Sequence, residues 1–135
     1  MRQLIVLAGF CIISAGCNGE PDSKEAVHVY EAVLKEELKG SKKGEGFYVF
    51  IDGVDPEPEL LKQFQKQWPE LQPGSKKDRG QGIGVSVDGL KWIDRNTADL
   101  RGGFSNGKDG RGSRYRVVRK NGAWLVESAK VEVLS

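Results

Sequence analysis

The second half of the chain alternates between apolar and polar residues, and this alternation limits the possible folds more than any other feature. Residues 83–87 read IGVSV, and Tyr115 and Val117 alternate with arginines in the same way. A period of two residues is typical of a strand with one buried face. Because turn residues separate the runs, residues 83–133 are predicted to form four antiparallel strands in a meander.

Turn residues and changes in parity predict where the strands of this meander are connected and where they are irregular. The predicted connections between its strands lie at Arg95-Asn96, at the Gly-rich residues 106–112, and at Asn121-Gly122. Asp88-Gly89 interrupts the first run, which indicates one long strand with a bulge at Gly89; a tight Asp-Gly hairpin is the alternative. After the final turn the apolar positions change parity, which predicts a second bulge near Ser128.

The first half of the chain carries two helical patterns around one strand. Asp22 and Glu25 form a capping-box-like pair before apolar residues that recur every three or four positions. Residues 46–51 are aromatic and β-branched, as in a strand. Asp55 before Pro56 predicts the start of a second helix, with the carboxylate as its cap. The apolar stripes of the two helices are Val27, Tyr30, Val33, Leu34 and Leu38, and Leu60, Leu61, Phe64 and Trp68.

The predicted order of elements is helix, strand, helix and then the four-stranded meander, with a basic loop at residues 71–82 before the meander. Such an order is typical of an α+β fold in which a sheet packs on helices. We therefore predict two helices packed on a curved antiparallel sheet of about five strands. The chain of 135 residues is long enough for one such domain, which we assign to residues 24–135.

The first 16 residues are typical of a secretory signal peptide. Arg2 supplies positive charge, and residues 4–15 form an uninterrupted apolar run. A membrane-spanning helix needs roughly 20 apolar residues, so this run is too short to cross a bilayer. One interpretation is an ordinary cleaved signal next to an incidental cysteine.

The residues at the end of that run point to a second interpretation. Ala15, Gly16 and Cys17 resemble the lipobox of bacterial lipoproteins, although Ser14 stands where that family favours leucine. In that family the cysteine thiol receives a diacylglycerol, and the signal is cut immediately before it. Cys11 would be removed with the signal, which leaves Cys17 as an odd thiol in a secreted chain. Acylation explains such a thiol.

The lipobox resemblance implies a division of the chain. Residues 1–16 would be the signal peptide, and residues 17–23 the lipidated cysteine and a polar tether. A membrane, reached through the lipid on Cys17, would be one partner, and the protein would lie outside the cytoplasm. Because Asn18 follows the cysteine, the resemblance favours the outer membrane if the cell is diderm.

The final hairpin and the first helix also carry a family pattern. Its residues are Tyr115-x-Val117-x-Arg119-x-x-Gly122-x-Trp124-x-Val126, the helix Val29–Leu34, and Lys91-Trp92. This pattern resembles small bacterial domains of the cystatin-like group, which includes the nuclear transport factor two-like superfamily. The resemblance implies a fold and no particular chemistry, because the superfamily contains enzymes, ligand binders and assembly modules.

Two sets of side chains are candidates for a binding surface. Five aromatic residues are predicted to point inward, where they line a small cavity or fill the core. They are Tyr30, Trp92, Phe104, Tyr115 and Trp124. The basic residues Arg111, Arg114 and Arg116 suit contact with anionic headgroups or wall polymers, or form a solvated polar face. Arg114 and Arg116 share a face without interleaved aromatic residues, so we expect no nucleic acid.

The remaining polar clusters have structural interpretations. His28, the single histidine, falls on the polar side of the first helix and is predicted to be solvated. The acidic residues between 52 and 59 suit turns and a helix start better than a calcium site. The Gly-rich residues 80–84 precede a strand, whereas a phosphate-binding loop precedes a helix. We expect no metal, no cofactor and no catalytic residue, because no acid–base constellation is visible.

The sequence therefore predicts a non-catalytic binding or interaction module on a lipid anchor, and not an enzyme. Its partner would be a protein or a small molecule. The alternative is a small-molecule-binding domain with an aromatic cavity under the sheet. A fully packed core would favour the interaction module, and an open aromatic cavity would favour the ligand binder.

Overall fold

The structure, a computed structural model, describes residues 23–39, 46–77, 82–105 and 110–132. Asp22, the predicted cap of the first helix, lies outside these ranges. Within them the chain forms two α-helices, six strands and one 3₁₀ turn. In chain order these elements are α1 Ser23–Leu38, β1 Phe47–Ile51, α2 Pro58–Gln65, β2 Leu71–Pro73, the 3₁₀ turn Gly74–Lys76, β3 Ile83–Asp94, β4 Thr97–Ser105, β5 Gly110–Lys120 and β6 Ala123–Glu132.

The six strands form one mixed sheet in the order β2-β1-β3-β4-β5-β6. From β3 to β6 each strand pairs antiparallel with the next, so the predicted four-stranded meander is confirmed. β1 pairs parallel with both β2 and β3. Parallel neighbours need a crossover connection, and α2 lies in the crossover between β1 and β2. The class is α+β with two helices, as predicted.

The predicted antiparallel sheet of about five strands is wrong in strand number and in strand direction. Residues 71–82 are predicted as a loop, but Leu71–Pro73 forms β2 at the edge of the sheet. Leu71 is fully buried and anchors this strand. Pro73 is compatible with an edge position, where a missing N–H group is tolerated. Three residues are too few for a period of two to be recognised.

α1 packs against one face of the sheet, which we call the inner face; the opposite one is the outer face. Val29, Val33 and Leu34 of α1 are fully buried, and α2 contributes the fully buried Phe64. The inward residues of the strands include Val49, Val85, Val87, Ala98, Leu100 and Val117. Burial of a large apolar side chain contributes roughly 1.5–3 kcal/mol, so the inner face supplies most of the stabilisation.

The predicted irregularity in β3 and the predicted hairpin turn are both confirmed. The pairing of β3 with β4 shifts register after Asp88, and Gly89 has a φ of +70°. The strand continues through this bulge, so the alternative Asp-Gly hairpin is not formed. Asn121 and Gly122 have φ values of +54° and +80°, as a type I′ turn requires.

The second predicted bulge is also confirmed, in β6. Arg116 of β5 pairs with Ser128, whereas the next residue, Val117, pairs with Val126. Glu127 is therefore the extra residue, directly before the predicted position. A bulge reverses the alternation of side chains between the two faces of a sheet. From Ser128 onward, the residues of β6 lie on the faces opposite to those that an uninterrupted strand would give them.

The Gly-rich connection between β4 and β5 is shorter than the predicted loop at 106–112. β5 begins at Gly110, and Gly112 pairs with Gly103 of β4. Residues 106–109 lie outside the described residues. Glycine is unfavourable in an isolated strand, but pairing with a neighbour on each side supports β5 here. Composition alone therefore misplaces the boundary.

The predicted start of α2 at Asp55-Pro56 is wrong. α2 begins at Pro58, with Glu57 in the N-cap position and without a side-chain capping bond. Asp55 instead accepts hydrogen bonds from the backbone N–H and the hydroxyl of Ser75, at the 3₁₀ turn. A proline does occupy the first turn of the helix, as the prediction required, but it is the second of two nearby prolines.

Candidate functional site

A groove of about 560 Å³ lies between α1 and α2 and is partly open to solvent. Its walls are largely apolar, with Val27 and Tyr30 on α1 and Leu60 on α2. Ile51 and Val54 line it beside the turn that follows β1. The volume falls within the range of small-ligand sites, so the groove can hold a ligand of modest size.

The turn after β1 gives this groove an acidic rim. Asp52 and Gly53 have φ values of +52° and +80°, which reverse the chain sharply after the strand. The acidic residues that line the groove are Asp52, Asp55, Glu57 and Glu59. Lys24 is the one basic residue among the described residues that line it. The rim therefore attracts a positively charged group more than a negatively charged one.

Two of these carboxylates also hold the rim in place. Asp52 accepts a hydrogen bond of 3.0 Å from the N–H of Gly89, in the bulge of β3. Asp55 accepts one of 2.8 Å from the N–H of Ser75. The hydrogen bonds from Ser75 lower the pKa of Asp55 below its usual range, so this carboxylate stays charged at neutral pH. The acidic end of the groove is therefore formed before any ligand arrives.

Tyr30 is the aromatic residue of the groove, and it is partly buried. Burial raises the pKa of its hydroxyl, and the negative charge of Asp52 raises it further. The phenol therefore remains protonated at neutral pH and keeps an O–H donor. A tyrosine ring beside carboxylates also suits a cation, which the ring face attracts.

A second polar site lies in the core, towards the C-terminal end of α1. The Tyr115 hydroxyl donates a hydrogen bond of 2.6 Å to Glu37 Oε2. Both side chains are buried, and Glu37 Oε1 has no hydrogen-bond partner among the described residues. Burial raises the pKa of Tyr115, and the hydrogen bond to Glu37 raises it further. The tyrosine is therefore a permanent donor to this carboxylate.

Gly102 of β4 makes room for this pair. A Cβ atom at Gly102 would lie 2.7 Å from the ring of Tyr115 and 2.9 Å from Glu37 Oε2. Atoms at these distances would overlap, so any larger residue would displace the pair. Glu37 has a signal in the sequence, because it lies four residues after Val33 and three after Leu34, on the buried stripe of α1. The groove between the helices has no such signal, because it depends on their packing.

The structure brings two of the five predicted inward aromatic residues together. Trp92 and Trp124 pack with their ring centroids 5.6 Å apart, and Trp124 Nε1 donates a hydrogen bond to a glutamate of α1. Tyr30 lies in the groove between the helices, and Tyr115 lies against Glu37. The fifth residue, Phe104 of β4, lies beneath the guanidinium of Arg111.

The three arginines predicted for an anionic surface lie on both faces of the sheet. Arg114 and Arg116 share the outer face, whereas Arg111 lies on the inner-face side. Arg111 pairs with Phe104, the fifth aromatic residue, and its guanidinium lies 5.8 Å from the centre of that ring. Arg114 and Arg116 therefore form a basic surface on the outer face, and Arg111 is not part of it.

The other candidate residues of the sequence form no further site. His28 is 60% exposed, and its Nδ1 lies 3.3 Å from Glu31 Oε1. In the part of the chain that the structure describes, no group of three or more His, Cys, Asp and Glu side chains could hold a metal ion. No helix in that part is long and apolar enough to cross a membrane. Cys17 lies outside it.

No protein-family model matches the chain, and no curated protein matches it. The function is therefore argued from the residues and geometry of the sites themselves.

Proposed function

We propose that the protein is an extracytoplasmic lipoprotein, anchored to a bacterial membrane through Cys17, that acts as a non-catalytic binding module. The lipobox-like residues before Cys17 support the anchor. Two or three acyl chains give stable attachment, whereas a single chain is marginal. In a diderm cell, Asn18 favours the outer membrane.

The proposal includes a cystatin-like fold, of the kind that includes the nuclear transport factor two-like superfamily. The support is α1 packed against a four-stranded antiparallel meander. The parallel strands β1 and β2 then extend the meander at one edge. This fold does not determine a ligand, whereas the residues that line the groove do restrict which ligands fit it.

The groove between α1 and α2 is the proposed binding site, and it is the observation that carries the proposal. Its apolar walls suit an apolar or aromatic body, and its rim suits a positive charge. Tyr30 adds an O–H donor and a ring face. The ligand that fits is a small molecule, or a side chain of a partner, with an apolar body and a cationic head.

The position of the groove relative to the anchor favours a ligand at the membrane. α1 begins at Ser23, and Lys24 already lines the groove. Five residues lie between Cys17 and Ser23, and the six Cα–Cα steps from one to the other span at most roughly 20 Å when fully extended. The anchor therefore keeps the groove close to the membrane that it is attached to.

The test is calorimetric titration of the full chain, held in nanodiscs of neutral phosphatidylcholine, with two water-soluble probes. Benzyltrimethylammonium and benzenesulfonate share an aromatic body and differ in the sign of their charge. We expect the cation to bind and an excess of the anion not to displace it. Absence of cation binding, or displacement of the cation by the anion, would contradict an acidic groove.

Two matched variants locate the binding. Gln63→Trp places a large ring in the groove, because Gln63 lines it from α2, and it should weaken benzyltrimethylammonium binding at least about tenfold. Gln72→Trp makes the same change at an exposed position of β2 and should leave the affinity unchanged. The same preparation tests the anchor: Cys17→Ala should leave an unprocessed, unacylated precursor in mass spectrometry. Normal processing of that variant would remove the lipoprotein from the proposal.

A further inference from the structure

The outer face of the sheet carries a second groove, of about 420 Å³, across β3 to β6. Its charged lining consists of Lys91, Arg101, Arg114, Arg116 and Lys130, with Asp99 as the acidic member among the described residues. The whole chain has a formal net charge of only +2. Positive charge is therefore concentrated in this groove, which we call the outer groove.

Both bulges are needed to place these charges together. Because side chains alternate along a strand, an uninterrupted β3 would put Lys91 on the inner face with the buried valines. The bulge at Gly89 moves Lys91 to the outer face, where it pairs across the strands with Asp99. An uninterrupted β6 would likewise put Lys130 on the inner face, and the bulge before Ser128 moves it outward. β-Bulges are common next to functional sites, where they change the direction in which a side chain points.

Strand pairing then sets the spacing of the cations. Arg101 pairs with Arg114, and Arg114 pairs with Lys130, so the three form one row across β4, β5 and β6. Neighbouring strands lie roughly 4.8 Å apart, so this row presents three positive groups within about 10 Å. Like charges in adjacent pairs repel each other, and a row of this kind is stabilised by an anion.

Internal ion pairs neutralise only part of this charge. Arg116 donates hydrogen bonds of 2.7 and 2.8 Å to both carboxylate oxygens of Asp99. Arg114 lies 3.1 Å and Arg101 lies 3.4 Å from the carboxylate of Glu132. Two carboxylates thus serve three arginines, and one of them, Glu132, is shared.

The two lysines complete the excess of positive charge. Lys91 and Lys130 are exposed, and neither ammonium lies within 4.0 Å of a carboxylate of the described residues, although the charge of Lys91 lowers the pKa of its cross-strand neighbour Asp99. The groove lining thus holds five basic side chains and one carboxylate, and the lysines flank the row from β3 and β6. Outside the lining, Asp88 pairs across the strands with Arg101, and Asp94 and Glu127 act electrostatically on Arg116. The groove has room for a multiply charged anion between them.

We propose that the outer groove binds the phosphate group of a small phosphomonoester. A phosphomonoester carries close to two negative charges at neutral pH and three acceptor oxygens, which matches two exposed lysines beside partly paired arginines. A carboxylate supplies only one charge. The site is a depression of small-ligand size, so a discrete phosphate fits it better than the plane of a lipid surface does. This proposal does not depend on the groove between α1 and α2.

The experiment titrates the full chain, in phosphatidylcholine nanodiscs, with phenyl phosphate and with benzoate. The two probes share a ring and differ in their anionic group. We expect phenyl phosphate to bind at least about tenfold more tightly than benzoate, and its affinity to fall with added salt. Equal affinity for the two probes, or no binding of phenyl phosphate, would overturn the proposal.

Paired variants assign the binding to the outer groove. Lys91→Gln with Lys130→Gln should lower the affinity for phenyl phosphate at least about tenfold. The control, Lys62→Gln with Lys66→Gln, removes the same charge from exposed positions in α2 and directly after it, and should leave the affinity unchanged. All four lysines are exposed, so thermal unfolding should be unaltered in both variants. An equal loss in the control would indicate general electrostatic attraction and refute the site.

Discussion

The inner and outer faces of the sheet are formed by the same strands but have different roles. On the inner face Val87, Leu100 and Val117 are almost fully buried beneath α1. On the outer face the same strands present Arg114 and Arg116, which are exposed. Burial of apolar surface stabilises a fold strongly, whereas exposed ion pairs contribute little. The inner face therefore determines stability, and the outer face is free to take on binding.

This comparison also explains where polar groups are tolerated. On the outer face the carboxylate of Asp99 is about 40% exposed, so it can exchange its partner Arg116 for water. On the inner face the carboxylate of Glu37 depends on Tyr115, because it is buried. A buried polar group that loses its partner pays the full cost of desolvation. Equivalent substitutions on the two faces should therefore differ sharply in their effects.

The largest effect on stability is expected at Trp124, on the inner face. Trp124→Ala removes a buried ring, its packing on Trp92 and a hydrogen bond to α1, and should lower the free energy of unfolding by about 3–5 kcal/mol. Urea denaturation measures this. Leu125→Ala, at the next residue but on the outer face and 51% exposed, should stay within about 0.5 kcal/mol of the parent. A loss below about 1 kcal/mol for Trp124→Ala would show that the ring is not a core element.

An intermediate effect is expected for Tyr115→Phe. The substitution keeps the ring but leaves both oxygens of the buried Glu37 carboxylate without a partner among the described residues, at a cost of about 1–3 kcal/mol. Tyr48→Phe is the control, because it removes a hydroxyl from a partly buried tyrosine on the outer face. If the two variants lost the same stability, the hydrogen bond to Glu37 would have no special weight.

The same variant has a signature at alkaline pH. The pKa of Tyr115 is raised above its ordinary value of 10.0 in the folded state, so above pH 10 the unfolded chain releases this proton first. Stability from this residue is therefore fully present below pH 10 and is lost as the pH rises beyond it. Urea midpoints between pH 9 and 11 should fall more steeply for the parent than for Tyr115→Phe. Parallel slopes would contradict a raised pKa.

The smallest effect is expected on the outer face, at Asp99. The hydrogen bond from Arg116 lowers the pKa of Asp99 below 3.8, although partial burial opposes the shift. Stability from this pair is therefore present above pH 3.8 and is lost as the pH falls below it. Both side chains are about 40% exposed, so Asp99→Asn should change the urea midpoint at pH 7 much less than Tyr115→Phe does. It should also flatten the decline between pH 4 and 2; an unchanged decline would contradict this assignment.

Local patterns were enough to predict the meander, and long-range packing was needed for the rest. The alternation in β3, the Asn121-Gly122 turn and the bulges in β3 and β6 each follow from a few adjacent residues. β2 has only three residues, and its pairing depends on where α2 places it. The start of α2 was misplaced because Asp55 bonds to Ser75, which lies 20 residues later.

The candidate sites also include features that local patterns predict and features that depend on packing between elements. The sequence does indicate that Arg114 and Arg116 share a face, because alternation decides this. It also indicates both bulges, but not that each one turns a lysine toward the same groove. The groove between α1 and α2 and the room beside Gly102 depend on distances between elements, which periodicity does not report. Glu37 does have a signal in the sequence, because it is a charged residue at a position of the apolar stripe of α1.

The contacts of α1 also determine when the fold can be completed. Glu25, near the start of α1, contacts Arg119 and Trp124, which follow it by 94 and 99 residues. Contacts of such high sequence separation form slowly, because a long loop must close first. During synthesis α1 would therefore wait for the hairpin of β5 and β6, which is made last among the described elements. If the chain is acylated at Cys17, it is tethered at one end while its folding is completed from the other.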